Sequence, residues 1–305
     1  MSSKSPNIAA GPRRTSGASA LLAGGTRPFE NIRRLKFNLD WITRPVFGIA
    51  LAAAALGAIA WGSYPFACFV AVGAIAGARE WHRMVGHPVF AREVFVTAVT
   101  IAAVVITFLA LQSSLVPWLV LLAGTLTAFV SASLRGARAT WQAGGVLYLG
   151  VPALSLVALR SVSPHGAYVI VGLMLAVWAT DTGALIAGNL IGGARLAPVL
   201  SPNKTWSGTL GGIVAASIVE AGYIAILHGH PAWGALYGAF IATIGHAGDL
   251  FESWVKRRFQ FKDSGGLIPG HGGVLDRIDS TLAASSAVAL AVFASGFDPT
   301  FGAHL

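Results

Sequence analysis

Long apolar stretches follow one another from residue 45 to residue 297, and they limit the possible folds more than any other feature of the sequence. Several are close to the lower length limit for a helix that crosses about 30 Å of hydrocarbon. Only 11% of the 305 residues are charged, too few to cover a soluble fold. The stretches also lack the alternation of barrel strands. We therefore predict an all-α polytopic bundle of about nine transmembrane helices. The predicted spans are 45–62, 64–78, 94–111, 115–133, 144–160, 167–190, 208–228, 232–250 and 280–297.

The second of these spans is the weakest prediction, because it is short. The sequence Ser63-Tyr64-Pro65 beside it is compatible with a tight hairpin.

The positions of the basic residues predict the orientation. With the N-terminus in the cytoplasm, the N-terminal tail and the cytoplasmic loops hold 20 of the 21 Lys and Arg residues, and only Arg160 falls outside. This bias is typical of cytoplasmic loops. It also explains the net charge of +9 better than nucleic-acid binding does, so no nucleic-acid partner is predicted. The predicted cytoplasmic loops are 79–93, 134–143, 191–207 and 251–279.

Composition divides the chain into three regions. Residues 1–44 are predicted to be a basic, largely disordered cytoplasmic tail. Residues 45–160 are predicted to be N-terminal transmembrane helices with few chemically active side chains, and 161–305 a catalytic transmembrane region. In the plainer region, Glu80 is interpreted as an interfacial anchor beside two arginines. Glu220, in the middle of a later span, has no obvious partner.

The densest set of polar residues lies between residues 248 and 279. These 32 residues contain five carboxylates, five Lys or Arg residues and one His. Asp276 and Asp279 share a face if this segment is helical, and Asp249 closes the preceding span. Hard oxygen ligands of this kind suit Mg²⁺. The alternative is a loop of ordinary surface charges, with Asp276 or Asp279 capping a helix.

The basic and small residues of the same segment suit a phosphate. Its Lys and Arg side chains can pair with phosphate oxygens. Gly270, Gly272 and Gly273 would let the backbone approach a phosphate closely.

A second polar segment, residues 201–208, precedes a predicted helix. Its lysine, hydroxyls and amide could bind an anion at the helix N-terminus. The alternative is a capped loop, with Ser201 or Thr205 as the cap.

A third candidate is Asp181, a carboxylate inside an apolar span, which is costly there and is functional by default. Its alternative is a packing role, hydrogen-bonded to neighbouring helices.

Together these segments resemble the phosphatidate cytidylyltransferase family. The Ser201-Pro202-Asn203-Lys204-Thr205 and Asp181-Thr182-Gly183-Ala184 segments resemble its upstream motifs. The resemblance covers residues 140–285. This chain has Ser207 where the family usually has Glu, and His246 where it often has Gln. The long C-terminal motif reads Ser253-x-Val255-Lys256-Arg257, four residues, Lys262-Asp263-x-Gly265, then His271-Gly272-Gly273-Val274-x-Asp276-Arg277-Ile278-Asp279.

The resemblance implies an Mg²⁺-dependent nucleotidyltransferase that makes CDP-diacylglycerol and pyrophosphate from CTP and phosphatidate. It also implies a homodimer in a bacterial inner membrane, with the site facing the cytoplasm. The prediction allows a second cation beside the Mg²⁺. Carried over by position, the catalytic residues are Asp249, Lys256, Lys262, Asp263, His271, Asp276, Arg277 and Asp279. The substrate-binding residues are Asp181, Ser201, Asn203, Lys204, Thr205, Ser253, Arg257, Gly272 and Gly273. The metal ligands are Asp249, Asp276 and Asp279.

Some alternatives stay open from the sequence. His271 could protonate the leaving group or make a structural hydrogen bond in its Gly-rich turn. The chain could be a CTP-dependent lipid kinase, an ion-coupled transporter or, because of Ser207, an inactive paralogue. The transporter explains the carboxylates but not the basic loops, and the two halves show no strong repeat.

Overall fold

The computed structural model describes residue 46 and the ranges 48–86, 90–111, 115–162, 165–267, 272–298 and 303–304. The predicted tail, 1–44, and His271 lie outside the described residues, so the predictions about them stay predictions. The division of the remaining chain at residue 160 also stays a prediction.

Helices dominate the described residues, as the apolar stretches predict. Backbone hydrogen bonds within each helix satisfy the polar groups that lipid cannot. The helices are α1 (Gly48–Trp61), α2 (Ser63–Val85), α3 (Phe90–Leu111), α4 (Leu115–Ser133), α5 (Ala139–Ser161), α6 (Gly166–Ile191), α7 (Trp206–Ile226), α8 (Pro231–Arg258) and α9 (Leu275–Ser295).

Six of the described helices, α3 to α7 and α9, are long and apolar enough to cross a membrane. The shorter α1 is apolar. The last ten residues of α8, from Asp249 to Arg258, carry five charged side chains, which lowers its hydropathy. An integral membrane bundle is therefore supported, whereas the count of nine spans and the orientation stay predictions.

The turn between the first two helices lies one residue earlier than the predicted hairpin. Gly62 separates α1 from α2 and adopts a φ of 126°, which favours glycine. Helix α2 then continues to Val85, past the predicted end at residue 78, so the second stretch is a full-length helix.

The later helices pack in sequence order, α6 on α7, α7 on α8, and α8 on α9. Small residues allow this close packing. A Cβ added to Gly238 would lie 2.4 Å from the Ala216 carbonyl oxygen, and one on Gly183 would lie 2.8 Å from the Gly211 carbonyl oxygen. Helices α2 and α5 pack on each other, and α5 also packs on α9, which joins the earlier helices to the later ones.

Two short hairpins were not predicted. Strands β1 (Arg195–Ala197) and β2 (Ser201–Thr205) form an antiparallel pair, with Arg195 opposite Thr205. This hairpin joins α6 to α7 and carries the segment that was expected to be a loop. Strands β3 (Phe297–Asp298) and β4 (Ala303–His304) form a second antiparallel pair after α9. Strands of two to five residues are too short for a periodic pattern to reveal them.

Arg160, the one basic residue outside the predicted cytoplasmic segments, has a structural partner. Its Nε and Nη2 atoms donate to the carbonyl oxygen of Ile59, at 3.1 and 2.8 Å. That carbonyl lies in the last turn of α1, where the helix has no backbone donor for it. Arg160 therefore stabilises the end of α1.

Candidate active site

Residues from distant parts of the sequence meet where α6 ends, α7 begins, α8 ends and α9 begins. Lys204 of β2 forms an ion pair with Asp249 of α8. One turn later on α8, the Ser253 hydroxyl lies 3.5 Å from Asp249 Oδ1. This juxtaposition puts the predicted anion segment and the predicted metal segment in one site.

A second ion pair joins α8 to α9. Lys256 Nζ donates to Asp276 Oδ1 at 2.7 Å and lies 3.3 Å from Glu252 Oε1. Asp279, one turn after Asp276, lies close enough to Glu252 and Asp249 to interact electrostatically with both. Both aspartates therefore face α8, as their spacing predicts.

Asp276 holds the loop that precedes α9. Its carboxylate accepts the backbone N–H of Ser264 at 3.0 Å and that of Gly273 at 2.9 Å, besides the Lys256 ammonium. The N-cap residue of α9 is Val274, which makes no side-chain cap. The alternative of an N-cap at Asp276 or Asp279 is therefore wrong.

Glu252 was not among the predicted site residues. Its side chain is 0% exposed, and within the described residues neither carboxylate oxygen has a hydrogen-bond partner. A buried carboxylate without hydrogen bonds is costly. The signal in the sequence was its spacing, three residues after Asp249 and four before Lys256 on one helix.

The charges of this site suit a divalent cation. Within the described residues, no group of three or more His, Cys, Asp or Glu side chains is placed to hold a metal ion. Yet four carboxylates lie beside two ammonium groups here, and the oxygens of Glu252 accept no hydrogen bond within the described residues. An all-oxygen set of carboxylates suits a hard divalent cation chemically. The carboxylates belong to Asp249, Glu252, Asp276 and Asp279, and the ammonium groups to Lys204 and Lys256.

The hairpin segment has clear local contacts. Thr205 is the N-cap of α7, and its Oγ1 accepts the Gly208 N–H at 3.1 Å. Ser207 donates to the Gly192 carbonyl oxygen, which ties the start of α7 to the end of α6. The capped-loop interpretation of Thr205 is thus confirmed. The same segment still presents an exposed Asn203 and pairs Lys204 with Asp249.

Arg257 fastens the hairpin to the end of α8. Its Nε donates to the Leu200 carbonyl oxygen at 3.3 Å, and its Nη1 to that of Phe261 at 3.0 Å. Ser201 is partly buried in the same hairpin. These contacts keep the hairpin beside the charged end of α8.

Asp181 lies on α6, inside the predicted span, and faces the same site. It is exposed on the surface of the bundle and interacts electrostatically with Asp249, Lys204 and Arg277. The position agrees with the expectation that Asp181 reaches the pocket of the loops.

Lys262, Asp263 and Arg277 are exposed at the rim of the site. Gly272 has a φ of 86°, and a Cβ there would lie 3.1 Å from Asp276 Oδ2. At Gly273 a Cβ would lie 2.0 Å from the Ser264 hydroxyl. Gly273 is therefore required by packing within the loop, whatever its role toward a phosphate.

Glu80 is the second residue that the sequence reading missed. It was interpreted as an interfacial anchor, and this is wrong because its side chain is 2% exposed. Its Oε2 accepts the Leu275 N–H at 2.9 Å and the Ser264 hydroxyl at 3.1 Å. Glu80 therefore contacts the loop of the site from α2. The sequence did not indicate this contact, because the neighbouring Arg79 and Arg83 suggested a charged group at the membrane interface.

Two other buried polar groups, one on α7 and one on α8, also lack hydrogen-bond partners within the described residues. Glu220 of α7 is 0% exposed, and its oxygens have no hydrogen-bond partner among the described residues. His246 Nε2 also lacks one in the same part of the chain.

Comparison with known proteins followed these observations. A sequence model described as the cytidylyltransferase family matches residues 42–295. Proteins named phosphatidate cytidylyltransferase are similar over shorter ranges. One from Brucella suis biovar 1 (strain 1330) is 48% identical over 158 residues, or 50% of this chain and 58% of that protein.

Two other proteins of the same name, from different organisms, give similar matches. The protein of Staphylococcus haemolyticus (strain JCSC1435) is 44% identical over 137 residues, 44% of this chain and 52% of its own length. That of Rickettsia felis (strain ATCC VR-1525 / URRWXCal2) is 37% identical over 146 residues, 45% of this chain and 64% of its own. The chain thus matches between about half and two thirds of the length of these relatives.

Proposed function

The chain belongs to the cytidylyltransferase family, and from this we propose that it makes CDP-diacylglycerol and pyrophosphate from CTP and phosphatidate in phospholipid synthesis. Relatives 37–48% identical carry the name phosphatidate cytidylyltransferase. The polar segments that suggested the activity from sequence also contact one another, which supports the proposal.

One observation carries most of the argument. Three segments, residues 201–205, 249–257 and 272–279, meet through the Lys204–Asp249 and Lys256–Asp276 ion pairs. In a chain with so few charges, such a concentration is costly unless the charges have a use. Lysines beside carboxylates at the end of a helix bundle suit a nucleotide triphosphate and its metal ion.

The proposed reaction is a nucleotidyl transfer. A phosphate oxygen of phosphatidate attacks the α-phosphorus of CTP and forms the new P–O bond. The bond from the α-phosphorus to the bridging oxygen breaks, and pyrophosphate leaves with that electron pair. The nucleophile is already an anion near neutral pH, so a strong general base is not needed. The main barrier is repulsion between two polyanions.

The residues of the site would lower that repulsion. Lys204, Lys256 and Arg277 would pair with phosphate oxygens, and Lys262 would do so from the exposed loop. Ser201, Asn203 and Thr205 would border the nucleotide or the lipid phosphate. Because Lys204 and Lys256 each pair with a carboxylate, they are already oriented toward the site.

We propose Mg²⁺ as the cation of the site, with Asp249, Asp276 and Asp279 as its predicted holders and Glu252 beside them. When bound, it would neutralise phosphate charge and stabilise the departing pyrophosphate. The hydrogen-bond-free oxygens of Glu252 and the excess of carboxylates support this assignment.

The substrates also suggest where the site lies. CTP is water-soluble, whereas phosphatidate has its head group at the interface and its tails in lipid. We propose that the site faces the cytoplasm in a bacterial inner membrane. At the opposite helix ends, exposed aromatic side chains suit the outer interface. These are Trp61, Tyr64, Trp118, Tyr168 and Trp233. The homodimer implied by the family resemblance stays a prediction.

The test is a transfer assay with purified chain in detergent, phosphatidate, Mg²⁺ and α-labelled CTP. We expect label in a lipid product and release of pyrophosphate. In an Asp276→Ala variant, labelled lipid should fall by about 100-fold or more, because Lys256 and the loop lose their common partner. Glu93→Ala, which removes a buried carboxylate outside the site, is the control.

Product analysis separates the alternatives. A lipid kinase would transfer label from γ-labelled CTP to lipid and leave the α-label in CDP. A transporter would transfer neither label. No labelled lipid from folded protein would refute the proposed function.

A further inference from the structure

We propose that Glu80 of α2 is a positioning residue for the site, although it belongs to the helices that look chemically plain. It would hold the loop between α8 and α9 so that Asp276 and Lys256 keep their arrangement. The kinetic part of this inference rests on the proposed cytidylyltransferase activity, whereas the structural part does not.

The contacts link Glu80 to the site through one residue. Ser264 donates its hydroxyl to Glu80 Oε2 at 3.1 Å and its backbone N–H to Asp276 Oδ2 at 3.0 Å. Asp276 in turn accepts from Lys256 at 2.7 Å. A continuous set of hydrogen bonds thus runs from α2 through the loop to the charged ends of α9 and α8.

Glu80 also fixes the start of α9. The N–H of Leu275, the first residue of that helix, donates to Glu80 Oε2 at 2.9 Å. A helix start has backbone donors without internal partners, and here a side chain from another helix satisfies one. Because Asp276 is the next residue, this bond restricts the position of its carboxylate.

The fit around Glu80 leaves little room for movement. A Cβ added to Gly265 would lie 2.2 Å from Glu80 Oε1, and one added to Gly273 would lie 2.5 Å from Oε2. By contrast, a Cβ on Gly266 would meet nothing within 4 Å. The backbone therefore approaches the carboxylate closely on two sides. Such packing holds a loop in one position, which is how supporting residues orient catalytic groups.

A buried carboxylate could instead serve stability alone. Glu93 of α3 provides the matched control, because it is similarly buried, at 3% exposure, and pairs with Arg135 of the loop after α4. Among the described residues, the side-chain hydrogen bonds of this pair join Glu93, Arg135 and Ser131. Removing either carboxylate should destabilise the protein, and only removal of Glu80 should alter the site.

The experiment compares Glu80→Ala, Glu80→Gln and Glu93→Ala in the full chain purified in detergent. Steady-state kinetics would be measured for CTP, corrected for folded protein, together with hydrogen exchange of peptides covering 262–267 and 272–280. We expect Glu80→Ala to lower kcat about tenfold or more with a smaller change in KM. Glu80→Gln keeps an acceptor oxygen and should regain most of that kcat. Glu93→Ala should keep kcat within about threefold of the wild type.

Hydrogen exchange gives a readout that does not need activity. Glu80→Ala should speed exchange in both peptides, because Leu275 and Ser264 lose their acceptor, and Glu93→Ala should not. Unchanged exchange in Glu80→Ala, or a kcat equal to that of Glu93→Ala, would overturn the inference. If the wild type itself forms no CDP-lipid, the proposed function fails, and the exchange result alone then decides whether Glu80 holds the loop.

Discussion

The earlier helices and the later helices both bury polar residues, but they partner them differently. In α2 to α5, several buried polar side chains pair with one another, although Glu93 Oε2 has no hydrogen-bond partner among the described residues. His82 contacts Thr97 at 2.7 Å and also Gln142, and Glu93 pairs with Arg135. In α8 and α9 the carboxylates outnumber the lysines, and Glu252, although ion-paired with Lys256, accepts no hydrogen bond within the described residues. Charges paired one to one stabilise a fold, whereas a cluster with more carboxylates than lysines can still bind a cation.

Glu80 belongs to the first region by sequence and to the second by its contacts. Its hydrogen bonds go to Ser264 and Leu275, about 190 residues later in the chain. An aromatic contact also joins the two regions. Trp141 of α5 packs against Trp254 of α8, with ring centroids 5.7 Å apart. The plainer helices therefore do more than anchor the chain, because they support the loop of the site.

Among the variants that test this comparison, Gly273→Ala should lower activity the most. The new methyl group would meet the Ser264 hydroxyl at 2.0 Å and Glu80 at 2.5 Å, so the loop must shift. A displacement of about 1 Å near the reacting groups can lower activity about 100-fold. CDP-lipid formation would be measured beside Gly266→Ala, whose methyl group meets open space. Equal activity of the two variants would show that the loop adapts freely.

The next largest effect on activity should come from Glu252→Gln, which tests the carboxylate cluster of α8 and α9. A neutral amide should bind a divalent cation less well, so the Mg²⁺ concentration for half-maximal activity should rise about tenfold. Chelation by EDTA should abolish wild-type activity, and added Mg²⁺ should restore it. Glu220→Gln removes another buried carboxylate that lacks hydrogen bonds, and it should leave the Mg²⁺ requirement unchanged. A matching shift in both variants would argue against a cation at Glu252.

Glu93→Ala tests the ion pair of the earlier helices. It removes the partner of Arg135 within a pair whose carboxylate is almost fully buried. We expect a loss of roughly 2 kcal/mol in unfolding free energy, because Arg135 is partly exposed and can be solvated. Thermal unfolding in detergent measures it. A large loss of kcat at unchanged stability would contradict the division between the regions.

The smallest expected effect concerns the cap of α7. Thr205→Ala removes the acceptor for the Gly208 N–H and should cost about 1 kcal/mol. Thr205→Ser keeps the hydroxyl and should recover most of it. The comparison is the difference in Tm between the two variants. If Thr205→Ala instead abolished activity without lowering Tm, Thr205 would act on substrate.

The sequence predicted the helices well, because each crosses an apolar solvent and needs a long apolar segment. The ends of α3 and α4 fall close to the predicted limits, at Leu111 and Ser133. The start of α5 was less accurate, because Ala139–Ala143 is less apolar than the residues that follow. The hairpin of β1 and β2 was missed, since its stability comes from pairing between Arg195 and Thr205 and from Arg257.

The candidate site, too, could be predicted from the sequence only in part. Asp249, Lys204, Lys256 and Asp276 could be found from sequence, because charges are rare in this chain and concentrate in a few segments. Which lysine pairs with which carboxylate could not, since Lys204 and Asp249 are 45 residues apart.

By itself, the sequence determined that this chain is a bundle of apolar helices and where along it the polar chemistry lies. Both follow from the lipid environment, because charged side chains are costly within the membrane and those found there usually have a function. Only the tertiary structure decided how those charges are paired, that Glu252 is buried beside Lys256, and that Glu80 contacts the loop of the site. Such facts depend on distances between elements far apart in the chain, and no local pattern records those distances.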